Sequence, residues 1–174
     1  MYEKELQRIL NASQNNALTF FVGAGVSALS GAPTWKELIH AISDKLGRER
    51  KDNYSSDEYL QIPQMFYYSL GENKEEYYTF VKTQLDSSSL LANSIHREML
   101  NLNPVSFITT NYDSLLEDAA IQYCQSFKVV SQDKDVPTIF GDRFILKLHG
   151  DFKNNNFVLK EEDYLNYSEN YKLL

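Results

Sequence analysis

Residues Leu18-Thr19-Phe20-Phe21-Val22-Gly23-Ala24-Gly25-Val26-Ser27 decide the fold of this chain. The run from Leu18 to Val22 is apolar and rich in β-favouring residues, which predicts a short buried strand. Gly23 and Gly25 then allow a tight turn and a close approach of the backbone to a ligand. Unpaired backbone N–H groups at such a place attract an anion without the help of a lysine. We therefore predict a phosphate-binding turn, with a glycine turn that only packs a strand against a helix as the alternative.

Two common phosphate-binding motifs do not fit this turn. Gly23, Gly25 and Ala28 satisfy the loose pattern of dinucleotide-binding turns, which places an acidic residue about 20 positions later at the end of a second strand. Asp44 falls inside a helical pattern instead, which disfavours an ordinary dehydrogenase. No Gly-Lys-Ser or Gly-Lys-Thr follows the glycines, which excludes a Walker-type loop.

The composition limits the class of protein. The chain has 174 residues, enough for one domain, and 43% of them are hydrophobic, enough to bury a core. Its net charge of −7 argues against a nucleic-acid partner and against an anionic membrane surface. Cys124 is the single cysteine, so neither a disulfide framework nor a cysteine zinc site can form. With a charged N-terminus and no apolar run of about 20 residues, we expect a cytoplasmic protein.

Helical and strand patterns alternate along the rest of the chain. Thr34 and Glu37 have capping-box spacing and predict a helix that Gly47 ends, and residues 48–103 are predicted to be a mainly helical insertion. Ser114 and Glu117 have the same spacing before a helix near Leu115. The predicted later strands are Val105–Thr109, Phe127–Val130, Ile139–Phe140, Phe144–Leu148 and Phe157–Leu159. This alternation predicts an α/β fold with a largely parallel sheet and helices on both faces.

Three polar clusters follow predicted strands, at Gly23–Ser27, Thr109–Asp113 and His149–Asp151. Ligands of open α/β sheets bind at the carboxyl ends of strands, so we expect the clusters to converge. Each has a purely structural alternative, because Asn111 and Asp113 also suit helix N-caps and a lone histidine is commonly a core or turn residue.

Together the clusters resemble the sirtuin superfamily, and in particular the sirtuin-like domains of bacterial antiphage NAD hydrolases. Gly23–Ser27 with Gly31-Ala32-Pro33 resembles the phosphate-binding opening of that family, Thr109-x-Asn111-x-Asp113 its nicotinamide-side motif, and Lys147–Gly150 its catalytic histidine segment. The resemblance covers roughly residues 18 to 164. It implies a Rossmann-like fold that binds NAD and breaks the bond between nicotinamide and ribose.

The resemblance also implies roles for individual residues. Asn111 and His149 are expected to be catalytic. The residues expected to bind NAD are Gly23, Ala24, Gly25, Val26, Ser27, Pro33, Trp35, Thr109 and Asp113. Sirtuin deacylases carry a four-cysteine zinc module that one cysteine cannot supply, so we expect no metal and no deacylation.

We therefore expect residues 1–174 to be an NAD-binding and NAD-hydrolysing domain that lacks its C-terminal part. NAD is the expected substrate, and the products are nicotinamide and ADP-ribose. The expected setting is an antiphage effector that forms a homo-oligomer or a larger defence complex through parts outside this chain.

Three alternatives remain open. The first is a non-catalytic sensor of NAD or ADP-ribose. The second is a metal-dependent phosphoesterase that uses Asp113, His149 and Asp151. The third is an interaction module that binds a partner through residues 48–103.

Overall fold

The structure, a computed structural model, describes residues 2–139 and 141–173. The strands are β1 (Thr19–Val22), β2 (Ser106–Thr109), β3 (Lys128–Val130) and β4 (Phe144–Lys147). The helices are α1 (Glu3–Gln14), α2 (Ala24–Ala28), α3 (Trp35–Lys45), α4 (Ser56–Ser69), α5 (Lys74–Gln84), α6 (Ser94–Asn101), α7 (Leu115–Gln122), α8 (Glu161–Leu165) and α9 (Tyr167–Asn170), with a 3-10 helix at Asp133–Thr138.

The four strands form one parallel sheet in the order β1-β2-β4-β3. In the register of the sheet, Val22 pairs with Thr109 and Thr109 pairs with Lys147. The three strands therefore end together, and the segments that follow them leave the sheet at the same edge. The predicted α/β class with a Rossmann-like, largely parallel sheet is confirmed.

One face of the sheet packs against α6 and α7. Val22, Phe107 and Ile145 lie on this face, because alternate residues of neighbouring strands point the same way. They form a buried cluster with residues of the two helices, namely Met99, Leu100, Leu116, Ala119 and Ala120. On the opposite face Val130 is buried, whereas Phe21 is 68% exposed.

A second buried cluster lies between helices α3, α4 and α5. The predicted capping box at the start of α3 is present, with Thr34 and Glu37 each bonding the backbone of the other. Helices α4, α5 and α6 lie within residues 48–103. That this stretch is an insertion into the α/β domain remains a proposal. None of the helices in the described ranges is both long and apolar enough to cross a membrane.

Two predicted strands are wrong. Phe157–Leu159 forms no strand, although all three residues are buried and Phe157 and Leu159 belong to the cluster of α3, α4 and α5. Ile139 ends the 3-10 helix rather than starting a strand, and Phe140 lies outside the described residues. The run Phe157–Leu159 is apolar because other elements cover it, and burial produces the same short apolar pattern as a strand.

Candidate active site

The three polar clusters meet at the carboxyl edge of the sheet. The backbone N–H of Leu148 donates to the carbonyl oxygen of Thr109 at 2.9 Å, which joins the segments after β4 and β2. The Asn111 side chain donates to the carbonyl oxygen of Gly23 at 3.3 Å, which joins the segments after β2 and β1. The edge that carries the glycines therefore also carries the histidine segment.

The glycine segment begins helix α2 directly after the strand. Gly23 has an extended backbone, with ψ of 178°, and is the N-cap of this five-residue helix. The first N–H groups of a helix lack intrahelical partners. A Cβ at Gly23 or Gly25 would meet no atom within 4 Å, so the space beside both residues is open. The N–H of Val26 donates to the carbonyl oxygen of Gly23 at 3.2 Å, so the donors left for an anion beside this open space are those of Ala24 and Gly25.

Asn111 has a fixed orientation. Its side chain is buried, and Nδ2 donates to Ser27 Oγ at 3.0 Å as well as to the carbonyl oxygen of Gly23. A carbonyl oxygen only accepts, so the amide nitrogen must face Gly23. Among the described residues no donor bonds Asn111 Oδ1. The amide oxygen is therefore available to a ligand hydroxyl or to water.

A cavity of about 40 Å³ lies beside Asn111. Six of the residues predicted to form the site line it, namely Ala24, Ser27, Pro33, Trp35, Asn111 and Asp113. The predicted site residues that do not line it are Gly23, Gly25, Val26, Thr109 and His149. Thr109 instead accepts the backbone N–H of Asn111 on its Oγ1 at 3.0 Å, which shapes the loop rather than the cavity wall.

Sequence reasoning missed part of the cavity wall. Leu85 and Ser87, which follow α5, line the cavity, as does Phe152 in the loop after β4. Phe152 follows His149-Gly150-Asp151 closely enough to have been considered with that cluster. No local signal marks Leu85 or Ser87, because their place at the cavity depends on how α5 packs.

A second, larger cavity of about 870 Å³ adjoins the first. Ser87, Tyr112, Asp113 and Phe152 line both cavities and form the wall between them. The small cavity has room for a few water molecules.

His149 lies next to Tyr112 and lines neither of the two cavities. Its ring centroid is 6.5 Å from that of Tyr112 and 5.5 Å, edge to face, from that of Tyr164. Nδ1 is buried and has no hydrogen-bond partner among the described residues. Burial lowers the pKa of the His149 imidazole from its ordinary value. The ring is therefore predominantly neutral at pH 7, as a proton acceptor must be.

The start of α7 differs from its prediction. Ser114 Oγ donates to Asp118 at 2.8 Å, and Glu117 bonds Lys147 rather than the backbone of Ser114, so the predicted capping box is absent. Asp113 Oδ1 accepts the N–H of Leu115 at 3.1 Å, so Asp113 caps the helix start. Because the Glu117 carboxylate accepts a hydrogen bond from the buried Lys147 of β4, it does not bond the backbone at the start of α7.

Asp151 is held by its own loop. Its carboxylate accepts the backbone N–H and the side-chain Nδ2 of Asn154, at 2.7 and 3.1 Å. Over residues 2–139 and 141–173, no group of three or more His, Cys, Asp or Glu side chains is placed to hold a metal ion.

Gly150 shapes the histidine segment, and its replacement is expected to destabilise the fold. Its φ is +73°, and an added Cβ would lie 2.4 Å from the carbonyl oxygen of Asn156. We expect Gly150→Ala to lower the free energy of unfolding by about 3 kcal/mol, from backbone strain together with overpacking. Gly71→Ala is the matched control, because its φ is +62° and its Cβ would meet no atom within 4 Å. Urea unfolding that shows equal losses for the two variants would contradict the role of the Asn156 contact.

Comparison with known proteins agrees with this geometry. Residues 105–174 match the family model of the SIR2-like domain. The chain is 44% identical to Defense-associated sirtuin 2 of Bacillus subtilis, over 97% of the chain and 17% of that protein. It is 27% identical to the NAD(+) hydrolase ThsA of Cytobacillus dafuensis, over 97% of the chain and 33% of that protein. It is 32% identical to an NAD-dependent protein deacetylase of Staphylococcus epidermidis, over 67% of the chain and 44% of that protein.

The parallel sheet, with a glycine segment and polar loops at its carboxyl edge, makes this an open α/β domain of the class that binds its ligands at that edge. The chain belongs to the SIR2-like, or sirtuin, family. Its matches include a defence-associated sirtuin and NAD hydrolases, and it spans 17% and 33% of the length of the first two relatives.

Proposed function

We propose that this chain is the NAD-cleaving domain of a bacterial antiphage effector and that it releases nicotinamide and ADP-ribose. The observation that carries the proposal is the fixed amide of Asn111, whose Oδ1 is unbonded among the described residues beside the open glycine segment. The names of the relatives, a defence-associated sirtuin and NAD hydrolases, support the same activity and setting. Assembly into a homo-oligomer or a larger complex is part of the proposal.

The reaction needs positioning and electrostatics more than covalent chemistry. When the bond between nicotinamide and ribose breaks, the cationic nicotinamide ring leaves as neutral nicotinamide. The ribose that remains is oxocarbenium-like and is captured by water. The N–H groups at the start of α2 would hold the pyrophosphate. Asn111 Oδ1 would accept a hydrogen bond from a ribose hydroxyl or from the attacking water. Asp113, at the wall of both cavities, would face the carboxamide side.

His149 would accept the proton that the attacking water or a ribose hydroxyl gives up. Its Nδ1 is enclosed, so Nε2 is the ring nitrogen that water or a ribose hydroxyl can reach. A proton acceptor of this kind contributes about 10²- to 10⁴-fold to a rate. Tyr112 lines the small cavity and its ring lies 6.5 Å from that of His149, so a ribose bound next to that cavity would lie near the imidazole.

The pH dependence of turnover follows from the burial of His149. A base acts in its deprotonated form, and burial lowers the pKa of this imidazole. We therefore expect the acidic limb of the kcat/KM profile to fall below about pH 6.5, the ordinary pKa of histidine. Steady-state rates of nicotinamide release between pH 5 and 8 measure this limb. A limb centred above pH 7 would contradict His149 as the base.

The profile needs a control for unfolding at low pH. Burial lowers the pKa of both His96 and His149 in the folded state. Each histidine then binds more protons in the unfolded chain, so its stabilising contribution is present above about pH 6.5 and is lost as the pH falls below that value. The folded fraction, followed by circular dichroism at each pH, separates loss of structure from titration of the base.

Incubation of the protein with NAD tests the proposal. Chromatography should show equimolar nicotinamide and ADP-ribose that increase with time. A sensor that binds NAD without cleaving it would instead show a rise in melting temperature with NAD and no nicotinamide. That result would replace the hydrolase with the binding alternative.

A further inference from the structure

Lys147 is buried at the end of β4, two residues before His149, and its side chain is 2% exposed. Its ammonium group donates three hydrogen bonds. The acceptors are the carbonyl oxygens of Tyr112 at 3.2 Å and Asp113 at 2.6 Å, and Oε1 of Glu117 at 2.8 Å. A buried lysine therefore contacts the main chain directly after Asn111.

An ion pair alone does not account for this arrangement. A buried ammonium group needs an opposite charge and hydrogen-bond partners in place of water, and Glu117 supplies the charge. The other two acceptors belong to a loop rather than to a regular element. Lys160, the other buried lysine among the described residues, instead bonds two carboxylates, those of Glu162 and Asp163.

The loop that carries Asn111 is thus held from two sides. On one side the Asn111 amide bonds Gly23 and Ser27, which follow β1. On the other side Lys147 of β4 bonds the two carbonyl groups after Asn111. Since His149 follows Lys147 on the same strand end, the lysine links the loop of Asn111 to the segment of His149, in addition to the Leu148–Thr109 hydrogen bond.

We propose that Lys147 is a positioning residue that holds Asn111 in place relative to His149 through the carbonyl groups of Tyr112 and Asp113. The effect of Lys147 on catalysis rests on the proposed NAD hydrolysis, whereas the effect of Lys147 on the loop does not. Nicotinamide release and local backbone order therefore report on different parts of the proposal.

The test uses Lys147→Met together with Glu117→Gln. The double variant removes the ammonium group and neutralises the carboxylate that would otherwise be buried without a partner. Amide hydrogen exchange by NMR follows the N–H of Asn111, which bonds Thr109 Oγ1 and lies next to the released carbonyl groups. We expect exchange at Asn111 to rise about tenfold, because two charge-assisted hydrogen bonds to the loop are lost. We expect kcat to fall about 10²-fold with KM little changed, because a small misplacement costs about that much.

Three further variants isolate the carbonyl contacts. Lys147→Arg keeps donors in place and should recover part of kcat. Lys160→Met removes the other buried lysine, far along the chain from Asn111, and should leave exchange at Asn111 unchanged. Glu117→Gln alone keeps both carbonyl contacts and should change exchange at Asn111 by less than about twofold.

Parental exchange at Asn111 in the folded double variant, or parental kcat, would overturn the proposal. If the Lys147 variants do not fold, Glu117→Gln alone tests the proposal. A tenfold rise of exchange at Asn111 in that variant would show that the ion pair, and not the carbonyl contacts, holds the loop, and would overturn the proposal. If the parent releases no nicotinamide but the exchange results hold, the proposed hydrolase activity fails while the structural role of Lys147 stands.

Discussion

Replacement of Asn111 by alanine is expected to lower nicotinamide release from NAD by about 10²-fold or more, the loss typical of a fixed polar group removed from a transition state. The variant loses the amide oxygen that no described residue bonds, together with the two hydrogen bonds to Ser27 and Gly23 that orient the amide. Initial rates with the folded protein measure the effect, with melting curves to show that the fold is retained.

Asn93→Ala is a matched control for this prediction. Asn93 Nδ2 also bonds one carbonyl oxygen and one hydroxyl on the segment after β1, those of Val26 at 2.8 Å and Ser30 at 2.9 Å. Its Oδ1 also caps α6, so the control should cost at least as much stability. A purely structural role for Asn111 predicts similar losses of activity in the two variants. If Asn111 takes part in the reaction, Asn111→Ala should lose far more activity than Asn93→Ala.

His149→Ala is expected to reduce kcat by about 10²- to 10⁴-fold, because it removes the proposed proton acceptor. The melting temperature should change little. Nδ1 makes no hydrogen bond to the described residues, so the substitution gives up packing of the ring, including that against Tyr112 and Tyr164, but no hydrogen bond of Nδ1. The same nicotinamide assay and a thermal melt measure both quantities.

His96→Ala provides the contrast. His96 is 1% exposed, and its Nδ1 accepts the backbone N–H of Asn93 at 3.2 Å, so its loss should destabilise the fold more than the loss of His149. Per folded molecule, its activity should remain near that of the parent. Parental turnover in folded His149→Ala would remove the imidazole from the mechanism.

The convergence of the three clusters could be predicted because it follows from a local rule. Each cluster comes directly after an apolar run, and parallel strands end at a common edge of a sheet. Recognition of the runs that end at Val22, Thr109 and Leu148 was therefore enough to place the segments after them together, although β4 ends one residue earlier, at Lys147. The start of α3 was equally predictable, since Thr34 and Glu37 bond each other within one turn.

The errors arose where a distant residue decides a local choice. Ser114 and Glu117 have the spacing of a capping box, yet Lys147, 30 residues away, takes the carboxylate. Phe157 is apolar because it packs on Tyr78, with ring centroids 4.5 Å apart, and not because it lies in a sheet. A pattern of apolar residues reports burial without reporting what covers the residue.

The sequence alone determined that this chain has a parallel α/β sheet and that its glycines, Asn111 and His149 lie at one edge of it, because strand ends and turn residues are set by neighbours along the chain. Only the tertiary structure decided how the site is enclosed. Phe152 and Ser87 wall the small cavity, burial lowers the pKa of His149, and Lys147 holds the loop of Asn111. Each of these depends on side chains packed from elements far apart in the sequence, which local patterns do not encode.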